Sequence, residues 1–377
     1  MGLTGLANSP RQVQQLTTEV GADLARHRDA QADQRRRRTL KPRVGPTPTA
    51  VVVEVDGGRV RTRATGAGRG VHQAENKEDK VACLATLQSV ERREDPQPQP
   101  PASFLQPRRV QRLVQQMAGQ AGGDDGAAAG PPGLAGNGGE AEPPAGGGID
   151  DEPWAPKRRL RTCVASLADS RSFGPMVAGE AQARDFYAAG RRAFVADGLA
   201  YNWSIQEGYF PDFEPIVDLL HVLCYLYKAA YGLGADEASR WSLYEGWLRQ
   251  CWQGRVAEVV AELTRHQQQV GRPPPGEELP VGDVRRVVAE GLSYLSHNAA
   301  RMDYPRYRRL GLPTTSSLVE SLVGDVNGRV KSKQKYWNRP GGAEAILQVR
   351  AAYLSEDDRL HYYFAQRPGN PYRRRVA

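Results

Sequence analysis

The apolar positions of the chain change period several times, and each change marks an element. Val13, Leu16, Val20 and Leu24 fall three and four apart behind Pro10, which predicts a helix over 10–38 that ends in Arg35-Arg36-Arg37-Arg38. Such a helix either packs its stripe on a neighbour or offers its basic end to nucleic acid. Pro42, Pro46 and Pro48 then form a linker. The run Val51-Val52-Val53-Glu54-Val55 is too continuously apolar for a half-exposed strand, and predicts one inside a sheet with both faces covered. It stops at Asp56-Gly57-Gly58, where the glycines predict a hairpin turn into an alternating second strand, Arg59-Val60-Arg61-Thr62-Arg63. Asp56 is then either turn chemistry or a carboxylate at the exit of a buried strand.

Beyond a polar loop from Gly66 to Asp79, Lys80–Leu87 predicts another strand, and Arg161–Leu167 one more. Between them, from about Glu91 to Pro156, Pro, Gly, Ala and Gln crowd out large apolar residues. That composition predicts a disordered excursion with at most a short helix at Arg108–Met117, since it cannot offset its ordering entropy by burial. Such a loop is tolerable between strands because closure cost rises only logarithmically with length. A helix from Gly174 to about Arg192 leads into a short apolar strand, Ala193–Asp197, closed by Gly198. Phe213–His221 predicts a further strand, followed by an apolar helix through Val222, Leu223, Tyr225, Leu226 and Ala229. From Ala235 to Arg309 the spacing is helical, and Trp241, Trp247 and Trp252 are expected to pack that stretch. In the last segment Leu318, Leu322, Val326 and Val330 stand four apart, with Val319 and Val323 alongside, so one helix face is core. The order of elements predicts an α/β fold with a mixed sheet.

Charge and cysteines narrow the class. Lys+Arg 51 against Asp+Glu 43 gives +8 and a pI near 9.3 over 377 residues, which favours a polyanionic partner. Cys83, Cys163, Cys224 and Cys251 lie far apart with no CxxC pair, as expected of buried thiols in a reducing compartment rather than of disulfides or zinc. No apolar run reaches the length of a membrane span, and the N-terminus has no signal-peptide core, so a soluble intracellular protein with no membrane partner is expected.

Three acids occupy structurally privileged places. Asp56 and Asp197 both end apolar strands at glycine turns, and Glu320 opens an amphipathic helix. Glu320 shares a helix face with Gly324, Asn327 and Lys331, the glycine allowing close approach; alternatively Ser317-x-x-Glu320 is a capping box that occupies the acid structurally. Carboxylates converging from neighbouring strands repel one another unless a divalent cation binds, and two such ions about 4 Å apart can activate an attacking oxygen and stabilise a leaving one. An Asp on the first strand, an Asp on a later strand and a Glu on a late helix is the layout of a ribonuclease-H-like nucleotidyl transferase.

An ordered series of motifs sharpens that expectation. It comprises Val51–Arg61 with Asp56, Lys80-Val-Ala-Cys83, Val195-Ala-Asp197-Gly-Leu-Ala-Tyr-Asn-Trp203, Phe210-Pro211 and Ile216-Val-Asp218-Leu-Leu-His221. Arg301-Met-Asp-Tyr304, Gly311-Leu-Pro313, Ser317-Leu-Val-Glu320-Ser and Ala343–Arg350 continue it. The series resembles the ISKra-type insertion-sequence transposases, a bacterial DDE group, over most of 10–90 and 157–375. The resemblance implies a ribonuclease-H-like core, a triad of Asp56, Asp197 and Glu320 holding two Mg2+ ions (or Mn2+ in their place), and cleavage and joining of DNA at element ends. It further implies insertion-sequence ends and target DNA as partners, a homodimer on DNA, and a prokaryotic, cytoplasmic, nucleoid-associated setting. Family members usually begin with a further DNA-binding region, whereas this chain starts at what looks like the connecting helix, and their glycine-rich stretch before the Glu is Thr314-Thr315-Ser316-Ser317 here.

Around the triad, Asp218, His221 and Asn327 are expected to position substrate or ligands, with a helix-capping role as the alternative for His221. Arg329, Lys331, Lys333, Lys335 and Arg339 interleave with Tyr336 and Trp337. They are expected to contact phosphates while an aromatic ring stacks on an unpaired base; a solvated helix end is the alternative. The expected layout is an N-terminal helix and linker (1–48), a core in two parts (49–90 and 157–234) around the disordered insertion (91–156), a helical insertion (235–310), and C-terminal core helices with a basic tail (311–377). Two other functions fit the same residues: a catalytically impaired, DNA-binding derivative of a transposase, or a related nuclease that never joins strands.

Overall fold

A computed structural model describes residues 9–63, 74–121, 152–330, 337 and 340–367. In chain order the elements are α1 (Pro10–Arg36), β1 (Ala50–Arg63), β2 (Ala74–Gln88), α2 (Pro107–Ala121), β3 (Lys157–Ser166), α3 (Ser170–Ala183), β4 (Arg191–Ala196), α4 (Ala200–Tyr209), β5 (Glu214–Val217) and α5 (Leu219–Leu233). They are followed by α6 (Glu237–Trp252), α7 (Val256–Val270), α8 (Val284–Asn298), α9 (Tyr304–Arg309), α10 (Ser317–Val330), α11 (Pro340–Leu354) and α12 (Arg359–Gln366). The five strands form one mixed sheet in the order β3-β2-β1-β4-β5. β2 runs antiparallel to both of its neighbours, β1 and β3, whereas β4 runs parallel to β1 and β5 parallel to β4. The chain is thus α/β, with helices flanking a five-stranded mixed sheet.

The Val51 run is the centre of that sheet, as its composition demands: Val51, Val52, Val53 and Val55 are fully buried between β2 and β4. The expected hairpin at Gly57-Gly58 is not there. β1 continues unbroken through both glycines, which pair with Lys80 and Asp79 of β2, and the segment expected as a polar loop is strand from Ala74 onward. Gly57 serves close approach instead of a turn. A Cβ on it would stand 3.1 Å from the Asp79 carbonyl and 3.6 Å from the Tyr201 hydroxyl.

One face of the sheet is covered by α10 and α11. Val319, Leu322, Val323, Val326 and Val330 pack with Val60, Val81, Cys83, Cys163 and Ala165, so the expected core face of α10 is the observed one. Gly324, expected to allow close approach, is exposed with nothing within 4 Å of where its Cβ would be. The other face carries the larger core, to which α3, α5, α6 and α8 contribute Phe173, Leu223, Trp247 and Leu295. Trp247 and Trp252 are buried there, their indole N–H groups donating to Glu262 (2.7 Å) and to the Gln97 carbonyl (2.8 Å). All four cysteines are buried and none is joined in a disulfide.

The stretch expected to be disordered from Glu91 to Pro156 is ordered at both described ends. Phe104, Val110, Val114 and Met117 are buried against the larger core, as are Trp154 and Ala155. Their apolar residues recur three, four and six apart, and a composition averaged over the whole segment hides that stripe. The central part, 122–151, lies outside the described residues. Three smaller differences concern boundaries. α3 ends at Ala183, with a short 3-10 turn before β4; β5 stops at Val217; and Asp218 and His221 belong to the start of α5 rather than to a strand. On α1 only Val20 of the expected stripe is buried, Val13 and Leu16 being half exposed. Its register is set by Gly21 pressed on the backbone of Ala345 and by Arg28, which pairs with Glu344 at 2.7 Å. Among the described residues no helix is long and apolar enough to cross a membrane.

Candidate functional site

Parallel pairing brings three acids level. Val55 pairs with Ala196, and Ala196 with Val217, so Asp56, Asp197 and Asp218 each stand one residue beyond paired positions on adjacent strands. Strand period places Asp56 on the same face of β1 as Glu54 and Val60, which is the face that α10 covers.

Asp56 is half-buried, and its Oδ1 accepts the Gly57 N–H at 2.7 Å. Burial first, and then the charge of Asp197, push its carboxyl up to about 6, against the weaker pull of the Gly57 N–H and His221. Asp197 is raised as well, by burial, with His221 acting against it. Asp197 Oδ1 accepts from the Leu199 N–H (3.0 Å) and the Asn202 amide (2.8 Å), a local turn that fixes the carboxylate at the mouth of α4. Tyr294, from the helical stretch before α10, donates its hydroxyl to the Asp197 carbonyl at 2.9 Å. That approach needs Gly198, which has φ +91° and no side chain to collide with the Tyr294 ring. Asp56 and Asp197 are therefore neighbouring carboxylates in a poorly hydrated place. His221 faces both and acts against the upward shift of each.

Asp218 does different work. It is fully buried and caps α5 through the N–H groups of Leu220 (3.2 Å) and His221 (3.3 Å), receives the Ser316 N–H at 3.0 Å, and lies 2.7 Å from His221 Nδ1. It ties the start of α5 to the segment entering α10, and His221 is the half-buried outer partner of that tie.

Glu320 lies on the first turns of α10, but its side chain, like those of Asn327 and Arg329, is outside the described residues. The capping box expected at Ser317-x-x-Glu320 needs Ser317 to precede the helix, whereas Ser317 is its first residue. The helix opens at Ser317, so Ser316 flanks it, and the side chain reaching the third helical N–H is Glu54 Oε2, 2.7 Å from Val319 N. Of the expected DNA contacts, Lys331, Lys333, Lys335 and Arg339 lie outside the described residues. Trp337 is tied to the end of β1. It exchanges backbone hydrogen bonds with Arg61 and Arg63, and its indole donates to the Val330 carbonyl at 2.9 Å.

Hard carboxylate oxygens such as those of Asp56 and Asp197 suit Mg2+ or Mn2+, and their mutual repulsion is what a divalent ion relieves. Among the described residues, no group of three or more His, Cys, Asp and Glu side chains is gathered so as to hold a metal ion. Four residues that bear on the pair were not singled out from sequence: Glu54, Lys80, Asn202 and Tyr294. Asn202 had a local signal, an amide five residues past the Asp in the first turn of the next helix. Lys80 is buried opposite Gly57 and bonded to Glu78 at 2.7 Å, and only strand register reveals it. A scan against protein-family models finds no match, and a search of curated proteins finds none either.

Proposed function

We propose that this chain is a DNA strand transferase of the DDE type, built on a ribonuclease-H-like core, which cleaves and joins the ends of an insertion sequence. The observation that carries it is the juxtaposition of Asp56 and Asp197 at equivalent places on adjacent parallel strands, each carboxyl shifted up, on a sheet ordered β3-β2-β1-β4-β5. The start of α10, which carries Glu320, is hydrogen-bonded to β1 two residues before Asp56, and this supports Glu320 as the third acid. The charge of +8 supports a polyanionic substrate.

On this reading Asp56, Asp197 and Glu320 hold Mg2+, which when bound neutralises charge on the scissile phosphate and lowers the cost of deprotonating the attacking oxygen. The chain's own groups prepare that arrangement. The Gly57 N–H fixes one oxygen of Asp56. Asn202 and the Leu199 N–H fix one oxygen of Asp197. Tyr294 anchors the Asp197 backbone, so the carboxylate does not recoil from its neighbour. No side-chain nucleophile is required: in-line attack by water would break the scissile P–O bond and release a 3′-hydroxyl, which would then attack a target phosphate and release the target strand's own 3′-oxygen.

The test is incubation of the purified protein with DNA carrying the sequences that flank its gene, with Mg2+ or EDTA, followed by mapping of nicked and joined products. Mg2+-dependent joining that Asp197→Asn reduces by at least about a thousandfold is expected, the scale on which loss of one essential group acts. Joining that survives the substitution refutes the site. Tight DNA binding without any cleavage would point instead to an impaired derivative.

A further inference from the structure

Two cysteines that the acid pair does not use face one another across the sheet. Cys83 of β2 and Cys163 of β3 are directly opposite in the antiparallel register, and both lie in the core beneath α10 and α11. Opposed residues on antiparallel strands alternate between hydrogen-bonded pairs and closer, non-hydrogen-bonded ones, and this pair is of the second kind. The backbone shows it. The Cys163 N–H points away from β2 and donates to Ser355 Oγ at 3.0 Å. Two residues to either side, the Arg161 and Ala165 carbonyls also turn outward, to the Glu356 N–H and the Gln348 amide. In such a pair the Cα atoms stand about 4.5 Å apart and the side chains lie close together. A disulfide spans Cα separations of roughly 4.4–6.8 Å, so these two sulfurs can be joined without moving either strand. Cys224 and Cys251 sit on α5 and α6, in the larger core on the opposite face of the sheet.

The pair is covered but not sealed. Cys83 is fully buried and Cys163 nearly so. Burial pushes both thiols up, Cys163 to about 12, so they stay protonated and react slowly while the cover is closed. Cys163 nevertheless lines a cavity of about 900 Å3 bounded by α1, α3, α11 and α12, together with Gln348, Ala351 and Glu180. That cavity gives a molecule as small as hydrogen peroxide a route to the edge strand. The two thiols thus differ in access, Cys163 at the cavity and Cys83 behind it.

We propose that Cys83 and Cys163 form a reversible cross-strand disulfide in response to a hydroperoxide, a modification site separate from the acid pair that stands whether or not the chain joins DNA. The Cys163 sulfur attacks one peroxide oxygen. The O–O bond breaks, the Cys163 proton leaves with the departing oxygen as water or an alcohol, and a sulfenic acid remains. The Cys83 sulfur then attacks the Cys163 sulfur. An S–S bond forms as the S–O bond breaks, and the hydroxyl leaves as water with the Cys83 proton. The peroxide is reduced and the two thiols are oxidised, and an added thiol reductant reverses the bond. Because about 80 residues of chain separate the two cysteines, the bond restricts the unfolded state and stabilises the oxidised form.

In the experiment the full chain, reduced and freed of reductant, is exposed to hydrogen peroxide. Remaining thiols are alkylated in denaturant, and the protein is digested without reduction for mass spectrometry. The expected product is one linked pair, Cys83 with Cys163, while Cys224 and Cys251 are recovered alkylated. The oxidised protein should melt roughly 5–10 °C above the reduced one, and dithiothreitol should restore the lower value. Cys83→Ser and Cys163→Ser should each abolish both the linked peptide and the shift. The linkage map of the unchanged protein decides the matter even if a variant folds poorly. Peroxide treatment that leaves the pair unlinked, joins either cysteine to a different one, or links the two only in urea overturns the proposal. So does a linked form that melts below the reduced protein.

Discussion

Glu54, a fully buried acid in the middle of β1, places Oε2 2.7 Å from the backbone nitrogen of Val319, a residue 265 positions later in the chain. A helix leaves its first N–H groups short of partners, and here one is shared between the Ser316 carbonyl at 3.1 Å and, closer, a side chain from the central strand. Together with Asp218, which holds the Ser316 N–H, Glu54 pins the start of α10 to the carboxyl ends of the parallel strands. Glu54→Ala leaves the Val319 N–H with only the longer contact to the Ser316 carbonyl, 3.1 Å, and should cost about 1 kcal/mol in urea denaturation. Glu54→Gln keeps an acceptor and should cost less than half as much. Equal losses for the two would mean that the carboxylate charge, not the hydrogen bond, matters at this position.

The metal-free protein should lose stability as pH rises through the range where Asp56 ionises. Burial and Asp197 lift its carboxyl from 3.8 to about 6, so the folded state holds a proton that the unfolded chain has released. The stabilisation is complete below the ordinary value, and it is lost as pH climbs through about 6. A displacement of this size corresponds to at most about 3 kcal/mol. In EDTA, Asp56→Asn should therefore melt close to the unchanged protein at acid pH and above it at mildly alkaline pH. Mg2+ added at alkaline pH should raise the melting temperature of the unchanged protein and leave Asp56→Asn where it is. If Mg2+ shifts both alike, Asp56 is not a ligand.

Much of this arrangement is legible in the chain, and what is not has definite causes. The Val51 run announces a central strand because nothing else tolerates so many β-branched residues in a row, and the stripe on α10 announces its buried face. Gly57-Gly58 misleads because the same residue type serves a turn and a crowded strand. Only the partner strand, with the Asp79 carbonyl and Tyr201 pressing in, tells which. The segment after Glu91 misleads because its Pro and Gly content outweighs four apolar residues, Phe104, Val110, Val114 and Met117, whose value depends on a core that local sequence cannot show. Glu54 was hidden for the plainest reason. An acid flanked by valines gives no sign of the distant N–H it satisfies.

Asp218 should matter more for folding than for chemistry. Its two oxygens take three backbone N–H groups and face the His221 ring, in a place with no access to water. Asp218→Ala strands those donors and should cost about 2–4 kcal/mol, a cap loss compounded by buried unpaired groups. Asp218→Asn, itself a good capping residue, should retain most of the stability, and His221→Ala should cost no more than about 1 kcal/mol. Should Asp218→Ala fold normally but fail to bind Mg2+, the acid would belong with Asp56 and Asp197 instead.

Gly198 is the position at which backbone conformation and side-chain packing make the same demand. Its φ of +91° is a region that residues with a Cβ avoid, and an added Cβ would stand 2.8 Å from Tyr294 Cε2 and 3.0 Å from the Asn298 amide. Gly198→Ala must either move α8 outward or shift the Asp197 turn, and both routes break the bond between the Tyr294 hydroxyl and the Asp197 carbonyl. The expected loss is about 2–3 kcal/mol, from strain of roughly 1–2 kcal/mol and one buried hydrogen bond of about 1 kcal/mol. Tyr294→Phe removes only the second contribution and should cost about 1 kcal/mol, so urea midpoints for the two variants separate the causes. In the double variant the costs should sum to less than their total, because the bond is lost only once. Full additivity would show that Gly198 does not act through Tyr294, and that the strand end carrying Asp197 is held by something other than α8.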